Sequence, residues 1–262
     1  MGETRFGFGK NWRNFLSAIS EERVKAAERT LQEMLGLGDF HGRRFLDIGS
    51  DSGLFSLAAR RLGAEVYSFD YDEDSVTCTR TLKQAHRPDD AGWTVQQGDI
   101  LDQDYVSQLD QYDIVYSWGV LHHTGVMWKA IDNAARLVGP GGRQLFIAIY
   151  NDQGWISHYW LTVKRLWNAS ALPRPAILLL HAPYLYFGRA LLRFVRAKGR
   201  LDRGMSLWYD MIDWLGGLPF EVAQAEEVIN FAINRSFEVR KLKTCGKRHG
   251  CNEFVFERRA HG

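Results

Sequence analysis

From Arg44 onward, five short apolar runs, RFLDIG, EVYSFD, WTVQQGD, YDIVYSWG and RQLFIAIY, alternate with segments long enough to be crossover helices. Parallel strands need such crossovers, so the rhythm predicts a parallel sheet covered by helices on both faces. Near the end, FEVRKLKTC and CNEFVFERR flank the glycine-bounded turn GKRHG and predict an antiparallel hairpin added to that sheet. Ahead of the first run, SEERVKAAERTLQEMLG offers Ser20 as an N-cap, acids in the first turn, and Val24, Ala27, Leu31 and Leu35 on one face. That pattern predicts a helix packed on the sheet. With 262 residues, 45% of them hydrophobic, the chain suits one α/β domain carrying an insertion rather than two full domains.

The first apolar run leads into FLDIGSDSGLF, a strand, a turn with Gly49 and Gly53, and the start of a helix. Such a turn lets backbone approach a ligand closely and aims helix N–H groups at negative charge, which points to a nucleotide-like cofactor. The dinucleotide fingerprint G-x-G-x-x-G needs glycine where this chain has Asp51 and Leu54, so a nicotinamide or flavin reading is weak. A plain tight connection in an unrelated α/β protein is the bland alternative for the glycine turn alone. Asp47 ends the first strand and Asp70 the second, where its carboxylate can accept from both hydroxyls of a ribose. Asp99 in GDI follows the third strand and is offered to an adenine amine, and SWGVLHH opens after the fourth, so these positions converge on one crevice at the strand carboxyl ends.

Together LDIGSDSG, FDYDEDS, GDI, YDIVYSWGVLHHTG and LVGPGGRQLFIAIYN resemble, in order and spacing over Arg44 to Asp152, a class I S-adenosylmethionine-dependent methyltransferase. VLHH and GPGG give the resemblance the flavour of the small-molecule methyltransferases of ubiquinone and menaquinone biosynthesis. The resemblance implies an α/β, Rossmann-like seven-stranded methyltransferase sheet with an antiparallel last strand and a helical lid insertion. It implies S-adenosyl-L-methionine as cofactor, with Asp47, Gly49, Ser50 and Gly53 around the methionine end, Asp70 and Tyr71 at ribose and adenine, Asp99 and Ile100 at adenine, and Ser117 beside the amino group. The departure is Asp51, where the family pattern D-x-G-x-G-x-G has glycine. Its side chain could crowd the cofactor, point outward, or hydrogen-bond the amino group.

His122 and His123 stand where the transferred methyl would face its acceptor. Imidazole titrates near neutral pH and can take a hydroxyl proton, while a buried hydrogen-bonding pair is the plainer account. Tyr150, leaving the fifth strand, and the aromatics Trp12, Trp208 and Trp214 are candidates to touch substrate; packing, capping and solvation compete at each. TCGKRHGC places Cys245, His249 and Cys251 close together but lacks a fourth ligand and paired-cysteine spacing, so a hairpin turn without metal is expected.

The expected organisation is residues 1–43 as flap and helix, 44–154 as the cofactor-binding core, 155–220 as a helical lid, and 221–262 as the helix and hairpin that complete the sheet. Between Ile156 and Arg203 nine basic residues face the single acid Asp202, a local charge of +8, although the whole chain carries only +2. Such a lid fits a solvated basic face, a peripheral contact with anionic lipid, or a pocket for a hydrophobic or anionic small molecule. Nucleic acid ranks below these because no RNA-binding module is recognisable. Three cysteines, no signal-peptide layout and no run of roughly 18 apolar residues lead to the expectation of a soluble, cytoplasmic protein.

The function expected is methyl transfer to a small, aromatic or lipid-like hydroxyl acceptor. A tRNA or other macromolecular methyltransferase and a non-catalytic cofactor-binding protein are the alternatives. Oligomeric state and acceptor atom are left open.

Overall fold

The computed structural model describes residues 19–188, 207–246 and 250–259. The flap residue Trp12, most of the GKRHG turn with His249, and the arginines from Arg189 to Arg203 lie outside these, as do the side chains of Trp208 and Asp213. Helix α1 (Glu21–Leu35) precedes a βα alternation: β1 (Arg44–Ile48), α2 (Leu54–Arg61), β2 (Glu65–Asp70), α3 (Glu73–His86), β3 (Trp93–Gln97), α4 (Gln103–Ser107), β4 (Ile114–Trp118), α5 (Met127–Arg136) and β5 (Gln144–Tyr150). Three helices follow, α6 (Trp155–Ala169), α7 (Arg174–Ala182) and α8 (Leu207–Gly216), and then α9 (Ala225–Ile233) and the hairpin β6 (Phe237–Lys243) and β7 (Cys251–Arg258).

The seven strands order as β3-β2-β1-β4-β5-β7-β6; β1 to β5 are parallel and β7 runs antiparallel to both β5 and β6. This is the sheet expected from the strand rhythm, with the hairpin closing its far edge.

Strand alternation decides what each face buries. On one face Phe45, Ile114, Tyr116, Phe146 and Val255 pack under α1, α2 and α3. On the other Leu46, Ile48, Val115, Leu145, Ile147, Phe254 and Phe256 pack under α5 and α9. Near-continuous apolar strands are what two covered faces require, and each fully buried Leu or Phe contributes about 1.5–3 kcal/mol.

The predicted first helix begins after Ser20, which caps through its backbone carbonyl and not its hydroxyl, and buries Val24, Ala27, Leu31, Met34 and Leu35. Further helix starts are set by side-chain caps: Asp72 accepts from the Asp74 amide before α3, and Asp102 from those of Asp104 and Tyr105 before α4. A third apolar cluster sits off the sheet, where Trp160, Val163 and Trp167 of α6, Ile177 of α7 and Met211, Trp214 and Leu215 of α8 meet. Tyr150 and Phe220 pack against it, so the helical insertion is anchored at the carboxyl end of β5.

Candidate active site

The loop after β1 is shaped by three residues in the left-handed region. Gly49 has φ 76°, Asp51 φ 52° and Gly53 φ 78°. Gly49 is required twice over, since a Cβ there would meet the Val120 side chain at 2.4 Å as well as sit at positive φ. At Gly53 a Cβ would meet the Cα of Thr79 in α3 at 3.1 Å.

The absent third glycine is thereby accounted for. Aspartate is among the few non-glycine residues that tolerate this backbone region, and its N–H donates to Asp70 Oδ2 at 3.0 Å. Asp51 thus keeps the conformation of the missing glycine while tying the β1 loop to the end of β2. Asp51→Gly is expected to leave cofactor affinity within about threefold, because it relieves a backbone cost of roughly 1 kcal/mol without touching that amide. Titration calorimetry showing abolished binding would mean that the Asp51 carboxylate itself holds the ligand.

Asp70 is the focus of the crevice. It is buried, its Oδ1 accepts from the Asp72 amide at 2.9 Å, and its Oδ2 accepts from Asp51. Burial pushes its pKa up to about 6 against the pull of those amides. The Tyr71 amide also pulls on it; an ionised carboxylate has about four acceptor sites, so these amides do not exhaust them.

The neighbours differ in what their side chains do. Asp47 faces α2, accepting from the Ser56 hydroxyl at 2.5 Å within a buried network that continues through Ser68 to Trp93 Nε1. Ser50 shares a hydrogen bond with Thr79 at 3.0 Å, and the Ser117 hydroxyl donates to the Ile48 carbonyl. These three side chains hold the loop and strand ends in shape. Tyr71 is 56% exposed beyond Asp70. Asp99 accepts from the Leu101 amide, and Ile100 is buried with its carbonyl taken by Asn133.

A second group gathers past β4 and β5. His122 and His123 sit on a single 3-10 turn, with the His122 ring tilted against that of Tyr150 at 3.9 Å between centroids and 4.5 Å from that of His123. Tyr150 contacts Trp214 at 5.5 Å and Phe220 at 5.3 Å, and Trp160 contacts Trp214 at 5.5 Å. The sequence candidates Tyr150 and Trp214 therefore meet; Trp160, Phe220 and the buried Lys164, whose ammonium lies 4.7 Å from the Trp214 ring centroid, were not singled out there.

The two imidazoles are not equivalent. His123 Nδ1 lies 2.6 Å from the Pro219 carbonyl, which can only accept, so Nδ1 carries the proton and Nε2 is the acceptor nitrogen. His122 is fully buried, and its Nδ1 accepts from the Tyr150 amide at 3.4 Å. Burial, with the Lys164 charge nearby, pushes His123 down to about 3; burial, His123 and Lys164 hold His122 well below its ordinary value.

These shifts carry a sign for stability. Below the ordinary histidine value of 6.5 the unfolded chain takes up protons that the folded chain refuses, so His123 alone removes about 2 kcal/mol between pH 6.5 and 5. Asp70 acts oppositely: its raised folded value contributes stability below its ordinary 3.8 that is lost as pH rises through about 6. Because both histidines outweigh one carboxyl, the melting temperature is expected to fall as pH drops from 7 to 5, and to fall less in His123→Gln. Equal slopes in wild type and variant would contradict the burial of His123.

Residues 19–187 match the family model described as a methyltransferase domain. Ubiquinone biosynthesis O-methyltransferase of Aeromonas salmonicida (strain A449) is 32% identical over 117 residues, 44% of this chain and 46% of that protein. The protein of the same name from Rhizobium etli is 28% identical over 129 residues, 49% of this chain and 50% of its own. The chain spans about half the length of these curated relatives. Magnesium protoporphyrin IX methyltransferase from Synechocystis PCC 6803, solved with bound SAH, superposes with a TM-score of 0.56 at 15% identity over 95% of this chain and 93% of that one. Mitomycin 7-O-methyltransferase superposes with a TM-score of 0.52 at 13% identity, covering 93% of this chain and 56% of that one. At such identities the likeness is one of fold.

Proposed function

The chain belongs to the methyltransferase-domain family, and on that footing we propose that it is an S-adenosylmethionine-dependent enzyme that methylates an oxygen of a small, aromatic or lipid-like acceptor. The observation that carries this reading is Asp70: a buried carboxylate at the carboxyl end of β2, bonded to the β1 loop, where a ribose diol could complete its acceptor capacity. The O-methyltransferase names of the sequence relatives support oxygen as the acceptor atom.

Bound at this loop, S-adenosylmethionine supplies an electrophilic methyl on a sulfonium. The residues of the chain divide the remaining work. Asp70 would hold the ribose hydroxyls, Tyr71, Asp99 and Ile100 would border the adenine, and the backbone from Gly49 to Gly53, with Asp47, Ser50 and Ser117 bracing it, would take the methionine end. Tyr150 and Trp214, joined by Trp160 and Phe220, form the acceptor wall and exclude water, which raises the effective concentration of the two reactants. Helices α6 to α8 act as the lid.

His123 is the base in this scheme. With Nδ1–H committed to Pro219, Nε2 would receive the acceptor's hydroxyl proton as its oxygen bonds to the methyl and the sulfur keeps the electron pair of the broken S–CH3 bond, leaving S-adenosylhomocysteine. Burial holds the ring at about 3, so it is neutral at working pH but weakly basic; negative charge developing on the acceptor oxygen beside it would raise its proton affinity as the methyl is transferred. His122 packs behind it and keeps Tyr150 in place.

Incubation with methyl-labelled cofactor and cell extract, followed by mass spectrometry of the labelled products, tests the reading. A labelled small hydroxylated molecule is expected. Label confined to RNA or protein would move the assignment to a macromolecular acceptor.

A further inference from the structure

Helix α6 has two apolar faces, and among the described residues only one of them is covered. Trp160, Val163 and Trp167 turn inward to the third cluster, whereas Trp155 is 77% exposed and Leu166 50%. The pattern continues into α7, where Leu172 just ahead of it is 90% exposed, and Leu179 and Leu180 are 82% and 71% exposed. Scattered exposed leucines are ordinary, but a run of them on two consecutive helices marks an interaction surface.

Charge narrows the choice of partner. Residues 153–201 contain no acid and eight basic residues; among the described ones Lys164 is buried, while Arg165 and Arg174 are exposed beside Leu166 and Leu172. A second copy seated on the same face would bring positive against positive. Nucleic acid would use the arginines and could stack on Trp155, but gains little from Leu166, Leu172, Leu179 and Leu180, which offer bases no stacking plane. An anionic bilayer surface takes both: apolar side chains enter the acyl boundary while arginines meet headgroup phosphates. Among the described residues no helix is long and apolar enough to cross a membrane, so the contact is with one leaflet.

We propose that the outer face of α6 and α7 docks onto an anionic lipid surface. The proposal rests on exposure and charge and goes beyond the methyl-transfer reading, so the two can fail separately. Co-sedimentation of the full chain with phosphatidylcholine vesicles, with and without phosphatidylglycerol, tests it. Binding is expected with phosphatidylglycerol, weakening as salt is raised. It is expected to drop at least about tenfold in L179E/L180E, and likewise in W155S/L166S, which alters the other helix. Both variants change exposed side chains, so their melting temperature and binding of S-adenosylhomocysteine should match wild type. No sedimentation with phosphatidylglycerol vesicles overturns the proposal, as does equal sedimentation of wild type and both folded variants. A dimer in vesicle-free solution that L179E/L180E splits into monomers assigns the face to a second copy and overturns it too.

Discussion

His123→Ala is expected to lower kcat by about 10²- to 10⁴-fold, the usual worth of a positioned base, while cofactor affinity stays within a few-fold of wild type. The separation follows from where the imidazole sits. It lies on the turn after β4, bonded to Pro219 and packed against Tyr150 with a ring separation of 5.4 Å, whereas the proposed cofactor contacts centre on the β1 loop and Asp70. His123→Gln retains a donor for the Pro219 carbonyl but offers no basic nitrogen, so it should share the loss in kcat while keeping more of the stability. His122→Ala is expected to act differently, lowering stability by removing a fully buried ring and lowering turnover only through Tyr150. Single-turnover rates and calorimetric affinities on the same preparations separate these effects. If His123→Ala turns over normally, proximity of the bound reactants carries the catalysis and no base is needed.

Asp70→Ala is expected to weaken cofactor binding by about 10²- to 10⁴-fold, because two hydroxyl hydrogen bonds to a charged acceptor are worth roughly 1.5–3 kcal/mol each. The same change leaves the Asp51 and Asp72 amides without the acceptor that fixes the loop, so the damage exceeds the loss of ligand contacts. Asp70→Asn keeps one acceptor oxygen and should fall between. Unfolding is a poor rival explanation for either result, since burial already disfavours the charged carboxylate, and removing it removes a penalty at neutral pH. Melting temperature should therefore not decline in step with affinity. A decline that tracks affinity across both variants would make Asp70 a structural residue only.

The sheet was legible because its evidence is local and repeated. Apolar runs such as EVYSFD and RQLFIAIY carry both faces of a buried strand, and the crossovers between them leave few topologies. The placement of Gly49, Asp70 and Asp99 at or just past the ends of successive strands was legible for the same reason. What Asp47, Ser50 and Ser117 do with their side chains was not. Their partners, Ser56, Thr79 and the Ile48 carbonyl, become neighbours only through packing. Asp51 was visible as a departure from a glycine pattern, but its resolution lies in a backbone angle that no residue name reports. The aromatic cluster past β5 was half legible: Tyr150 and Trp214 stood out as aromatics, while Trp160 and Lys164 join them only through the packing of α6 on α8. Two adjacent histidines likewise carry no sign of which one bonds Pro219.

The account stands on the β1 loop and the carboxylate of Asp70 together gripping an adenosyl sulfonium. Titration calorimetry of the purified full chain with S-adenosylmethionine and with S-adenosylhomocysteine measures this directly. One site per chain is predicted, with both ligands raising the melting temperature and with affinity falling as pH drops below about 6 and Asp70 takes up its proton. No heat and no thermal shift with either ligand, from folded protein at pH 8, would contradict it.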